Sequence, residues 1–173
     1  MKMLTAAALL CALMALTRAA AFKEAEAAKD LIVRSHLVKR ATSCPGGWSE
    51  FNGRCFHYFP APMTWAKAQR NCQSLGGSLA SVHNVQEYHD IQRLIMISSY
   101  AYKEAWLGGS DAQEEGLWLW SDNSLFTYQN WCPGEPNNHA HGQHCLQMNF
   151  GEGKCWDDVG CHILRPFVCS KKI

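Results

Sequence analysis

Glu135-Pro136-Asn137 is answered about twenty residues later by Trp156-Asp157-Asp158, with Cys145 and Cys161 bracketing the second half. Carboxylates and amide carbonyls are hard oxygen donors, and Ca²⁺ takes about six to eight of them at roughly 2.3–2.6 Å. Two donor segments that a disulfide could hold together suit a calcium site whose protein ligands fill only part of the shell. The remainder is left to an outside ligand. Pro136 fits the same reading, because cis peptide bonds are nearly always X-Pro. A cis Glu135-Pro136 bond would turn both flanking side chains towards one point.

Such a site needs a scaffold, and the residues after Ala41 provide one. Arg54 to Phe59 reads as a strand after the Asn52-Gly53 turn, closing a small hairpin near Cys44 and Cys55. Thr64 is placed to cap a helix with Trp65, Ala68, Cys72 and Leu75 on its apolar side, ended by Gly76-Gly77. A second helix starts near Asn84, with Glu87 three positions on as capping partner, and turns Tyr88, Ile91, Leu94 and Ile95 inward. Short strands follow: Ala105 to Gly108, Leu117 to Trp120, Cys145 to Phe150, Cys155 to Asp158 and Phe167 to Ser170. Two helices early and strands late predict an α+β fold. The long polar stretch between Trp120 and Cys145 has little apolar periodicity, and loops of this length inside a compact domain are usually functional or disordered. The flanking tryptophans and Cys132 would tie it down, which favours function.

The start of the chain has another character. Met1-Lys2 is basic, Met3 to Leu16 is apolar apart from Thr5, and Ala19-Ala20-Ala21 offers a small-residue cleavage site. This predicts a signal peptide over 1–21, too short an apolar run to span a bilayer. Residues 22–40 read as a pro-segment or linker of helix-forming composition, ending at the dibasic Lys39-Arg40, and 41–173 as the folded domain. Removing the seven bases and three acids of the first forty residues lowers the formal charge of +1 by four, to −3. No basic stripe remains for nucleic acid or an anionic membrane. Of nine cysteines, Cys11 leaves with the signal peptide and eight remain, an even set that reads as four disulfides on a secreted chain. Spacing alone leaves their pairing open, and the lack of any C-x₂-C pair argues against a zinc–cysteine site.

Several motifs in order carry a family resemblance: Cys44-Pro45-x-x-Trp48, Trp106-Leu107-Gly108-Gly109, Gly116-Leu117-Trp118-Leu119-Trp120-Ser121-Asp122, Asn130-Trp131, Glu135-Pro136-Asn137-Asn138 and Phe167-Val168-Cys169. Over about Cys44 to Cys169 the chain resembles C-type lectin-like domains, and small secreted fish lectins and type II antifreeze proteins in particular. The resemblance implies a disulfide-stapled fold with a long ligand-binding loop, cis at Pro136, and pairs Cys44–Cys55, Cys72–Cys169 and Cys145–Cys161. Cys132 and Cys155 are then left over. We expect them to pair with each other, as in the related antifreeze group, with an inter-chain bond through Cys132 as the competing arrangement.

The resemblance also implies a ligand set. The calcium positions fall on Glu135, Asn137, Gln143, Asp157 and Asp158, and the sugar-contacting positions on Glu135, Asn137, His139, Gln143 and Asp157. Gln143 stands where the family has an acid and Asp157 where it has an amide, so three negative charges are kept while hydrogen-bond polarity towards one sugar hydroxyl is inverted. An auxiliary metal position falls on Asp111, Glu115 and Asn138, but His144 replaces an expected acid and imidazole suits a hard cation poorly. His139, His141 and His144 crowd the loop, and their protonation beside Ca²⁺ would make binding acid-sensitive. The expected partners are glycans with mannose-like vicinal hydroxyls, bound by a secreted, calcium-dependent lectin in innate defence. Single sites of this kind need multivalency, hence a homo-oligomer, for agglutination. An ice-binding protein on the same scaffold is the alternative, but it would want a flat surface of small side chains and methyls, and only Thr42, Thr64 and Thr127 remain after residue 41. No nucleophile elbow or metalloprotease motif suggests an enzyme.

Overall fold

The computed structural model describes residues 21–32 and 43–173, so most of the expected signal peptide and the dibasic Lys39-Arg40 lie outside the described residues. Two units divide the chain, Met1–Ser43 and Cys44–Ile173. In the first, residues 21–32 form helix α1, exposed along its length. Among the described residues no helix is long and apolar enough to cross a membrane.

The second unit runs β1 (Ser49–Phe51), β2 (Arg54–Met63), α2 (Trp65–Ser74), β3 (Ser78–Leu79), α3 (Val85–Ser99), β4 (Ala105–Ser110), β5 (Leu119–Trp120), β6 (Cys145–Phe150), β7 (Cys155–Val159) and β8 (Arg165–Lys172). This is the α+β arrangement that the sequence predicts. The β1–β2 hairpin turns on Asn52 and Gly53, at φ 51° and 73°, the left-handed pair that a tight two-residue hairpin demands. At the start of α3 the Asn84 side chain accepts the Glu87 N–H at 2.9 Å, while the Glu87 carboxylate accepts from His83 N–H at 2.8 Å, one residue earlier than a capping box would place it.

Three expectations need correction. Thr64 occupies the N-cap of α2 but its side chain makes no capping bond. Leu75 is 40% exposed because the helix has already ended, and Ala68, Gln69 and Cys72 form the buried side. The strand expected from Leu117 shortens to Leu119–Trp120, since the Leu117 N–H is used in a turn that donates to Glu114 O.

The strands hydrogen-bond in the order β1-β2-β8-β4-β6-β7, with β3 on β8 and β5 on β4. Among the named strands β4 and β8 pair in parallel and the other pairs are antiparallel. Side-chain alternation splits the interior in two. Ala105, Leu107 and Val168 join Phe56, Ile91, Ile95, Met148 and Trp156 in one core. Trp106, Phe167 and Cys169 join Ala68, Cys72, Leu79 and Cys145 in the other. Thus α3 covers one face of the sheet and α2 the other. Gly108 lies where the two meet closely: a Cβ there would stand 2.7 Å from Leu79 O and 2.6 Å from Ser121 Oγ.

Four disulfides tie the unit: Cys44–Cys55, Cys72–Cys169, Cys132–Cys155 and Cys145–Cys161. The third spans 23 residues of sequence, and closing a loop of that size restricts the unfolded chain by roughly 3 kcal/mol. It also fastens the long polar loop to β7.

Candidate functional site

The hairpin of β6 and β7 carries the site, and the loop between Trp120 and Cys145 closes over it. Trp156, fully buried, is the anchor. The rings of Trp120, Trp131, Phe126 and Tyr128 lie with centroids 5.6–6.0 Å from its own, mostly edge-on, the arrangement aromatic quadrupoles prefer. Alongside β7 the loop makes a short bridge: Trp156 N–H donates to Asn130 O at 2.8 Å and Cys132 N–H to Trp156 O at 2.9 Å. A further turn, Glu135 N–H to Cys132 O at 2.9 Å, then swings Glu135 over the residues that follow Trp156.

There Glu135, Asp157 and Asp158 converge, each offering an oxygen within 4.8 Å of the others. The Glu135-Pro136 bond is cis. Asp158, wholly buried, accepts Asn137 N–H at 2.9 Å on one oxygen and Asn138 N–H at 2.7 Å on the other. Asp157 is held from below: the Gln147 amide donates to its Oδ2 at 2.7 Å, and the Arg165 Nε–H donates to Gln147 Oε1 at 2.8 Å. Because the arginine can only donate, Gln147 must present its NH₂ to Asp157. Neither Gln147 nor Arg165 stands among the residues expected from sequence.

The two remaining members of the expected ligand set meet each other. Asn137 Oδ1 and Gln143 Oε1 both accept the His139 N–H, at 2.9 and 2.5 Å. His139 and His141 are exposed and form a single 3₁₀ turn, His139–His141, with Asn138, Ala140 and His141 in left-handed conformations. Of the auxiliary positions, Asp111 and Glu115 converge with His144, whereas Asn138 Oδ1 is taken by the Gln143 N–H at 3.0 Å.

The three acids repel one another. Burial, then the Asp157 charge and the contact with Asp158, push the Glu135 carboxyl up to about 7. Asp157 is raised as well, chiefly by burial, with the Asp158 and Glu104 charges adding to it and the Gln147 bond opposing it. Glu135 Oε2 is buried and accepts no hydrogen bond. An orphaned carboxylate oxygen among three converging acids is the environment a cation would complete. A depression of about 370 Å³, lined by His139, Gln143, Val159, His162, Ile163 and Arg165 among others, shares His139, Gln143 and Arg165 with the surroundings of the cluster, though none of the three acids lines it. Another cavity, of about 550 Å³ around Arg54, Ser78, Asp122 and Lys172, has no comparable convergence. There Arg54 is already bound to Glu87 at 2.8 Å and to the Ser81 and Ser170 hydroxyls.

The Glu135 pKa is raised on folding, so its contribution to stability is present below about 4.5, the ordinary glutamate value, and is lost as pH rises through 7. Metal-free protein should therefore melt at lower temperature at pH 8 than at pH 5.5, and Ca²⁺ should recover the difference by neutralising the cluster. Thermal melts with Ca²⁺ and with EDTA check this; Glu135→Gln should shrink the gap between them at pH 8.

The fold and these motifs define the class: the chain belongs to the lectin C-type domain family, whose model matches residues 61–171. This is a family of binding domains of lectins and antifreeze proteins, not an enzyme class. Among its relatives is the galactose-specific lectin nattectin of Thalassophryne nattereri, 40% identical over 142 residues, 82% of this chain and 89% of that protein. The type-2 ice-structuring protein of Osmerus mordax is 38% identical over 166 residues, 96% of this chain and 91% of that protein. Among solved structures, herring type II antifreeze protein superposes with a TM-score of 0.71 at 38% identity, covering 75% of this chain and 99% of that one.

Proposed function

We propose that the protein is a secreted, calcium-dependent carbohydrate-binding protein of the mannose type, released by removal of a signal peptide over 1–21 and serving glycan recognition in innate defence. The observation that carries the reading is the convergence of Glu135, Asp157 and Asp158 with a buried, unpartnered Glu135 oxygen. Those carboxylates and the Asn137 and Gln143 carbonyls are the proposed ligands, and a bound Ca²⁺ would supply Lewis acidity towards two vicinal sugar hydroxyls.

Around such a ligand the chain's own groups divide the work. Carboxylate oxygens of Glu135 and Asp157 accept hydroxyl protons, and the Asn137 and Gln143 NH₂ groups donate to hydroxyl oxygens. Gln147 and Arg165 keep Asp157 turned as an acceptor. His139, Val159 and His162, lining the adjoining depression, offer faces for the sugar ring.

Retention on mannose-agarose in Ca²⁺, with elution by EDTA, tests the reading. Nattectin's name specifies galactose, so galactose-agarose is the second arm, and preference for it would overturn the mannose assignment while keeping the lectin. The ice-binding alternative draws on the type-2 ice-structuring relative and the herring structure. Thermal hysteresis without sugar retention would establish it in place of the lectin.

A further inference from the structure

Among the described residues Asp111, Glu115 and His144 form the second such convergence, their ligating atoms all within 4.8 Å. Asp111 is 2% exposed, just beyond β4; its Oδ2 accepts the Gly116 N–H at 2.9 Å, and its Oδ1 lies 3.1 Å from His144 Nδ1. Glu115 Oε2 is 3.6 Å from the same nitrogen. The His144 backbone is fixed too, its carbonyl accepting from the Ser110 hydroxyl at 2.7 Å and the Asp111 N–H at 3.3 Å.

The family resemblance puts calcium here, and the donors do not fit it. Asn138 is already engaged, its carbonyl accepting the Gln143 N–H and its NH₂ donating to Glu115 Oε2. That leaves two carboxylates and an imidazole nitrogen, against the six to eight or so oxygens calcium seeks. Two carboxylates and one imidazole are instead a set that zinc takes, with a fourth position open. Ligands at about 2.0–2.1 Å on a tetrahedral ion stand roughly 3.3–3.4 Å apart, and the observed nitrogen–oxygen separations of 3.1 and 3.6 Å bracket that edge.

We propose that Asp111, Glu115 and His144 bind a borderline divalent cation, Zn²⁺, in preference to Ca²⁺. The ion would tie the turn after β4 to the loop end beside Gln143. The inference does not rest on the calcium reading of the first cluster.

Calorimetric titration of ZnCl₂ into the full chain, with CaCl₂ at saturating concentration throughout, tests it, and Co²⁺ absorption reports the geometry. The expected result is one equivalent of zinc and an intense four-coordinate Co²⁺ band. Both should weaken by at least about 10-fold in His144→Gln and in Glu115→Gln. Glu115 is 59% exposed in its side chain, so that variant removes a donor without threatening the fold. Because His141 and His162 could also attract zinc, His141→Gln and His162→Gln serve as controls and should keep the equivalent. No zinc uptake, zinc displaced by calcium, zinc affinity unchanged in both His144→Gln and Glu115→Gln, or zinc lost in the controls would each overturn the proposal.

Discussion

Asp158→Ala is expected to abolish calcium-dependent sugar retention and to erase the difference in melting temperature between Ca²⁺ and EDTA. The carboxylate is wholly buried and receives two loop N–H groups at 2.9 and 2.7 Å. Hydrogen bonds to a charged acceptor contribute about 1.5–3 kcal/mol each, and their loss frees the backbone at Asn137 and Asn138. In EDTA part of that cost is offset, because removing one of three acids relieves the repulsion on Glu135 and Asp157. With Ca²⁺ present nothing offsets it, so calcium affinity should fall by at least about 100-fold. Asp158→Asn should fare little better, since its NH₂ would confront an N–H donor. Calcium titration of both variants checks this, and wild-type affinity in either would mean that Asp158 only shapes the loop.

Trp156→Ala carries the largest expected loss of stability. The indole touches rings from the loop and from α3, including Tyr88 at 6.1 Å, and no part of it is exposed. Truncating a buried tryptophan costs about 3–5 kcal/mol, a large share of the roughly 5–15 kcal/mol that holds a domain together. The melting temperature should drop by roughly 10–20 °C, and near-UV circular dichroism should weaken as the aromatic cluster loosens. Trp156→Phe, which keeps an edge for its neighbours, should lose much less. A loss under about 1 kcal/mol in Trp156→Ala would show that Cys132–Cys155 and the backbone bridge at Trp131 suffice to hold the loop.

The fold was largely legible because its signals are local. Asn52-Gly53 marks a hairpin, Asn84 with Glu87 marks a helix start, and the spacing of Tyr88, Ile91 and Ile95 marks the buried face. Thr64 and Leu75 misled because helix-end chemistry depends on which hydrogen bonds the surrounding chain leaves available. Within the site, the convergence of Glu135 with Asp157 and Asp158 could be anticipated from residue type and motif order. The support beneath it could not. Continuing the Phe150–Cys155 pairing straight back along the hairpin would set Gln147 opposite Asp158; a register shift sets it opposite Asp157 instead. Asn149, at φ 64° inside that shift, gives no clear sign of it in sequence. The one-residue slip decides which acid Gln147 and Arg165 hold. The sharing of the His139 N–H by Asn137 and Gln143 is likewise a property of the folded loop, set by left-handed residues that composition does not announce.

If Glu135, Asn137, Gln143, Asp157 and Asp158 hold a sugar through calcium, sugar binding must require the ion. Calorimetric titration of methyl α-mannoside into the protein, once in saturating Ca²⁺ and once in EDTA, measures that requirement. One site per chain in Ca²⁺, absent in EDTA and in Asp158→Ala, is the predicted result. Equal binding in EDTA, or no binding of mannoside in Ca²⁺, would contradict it.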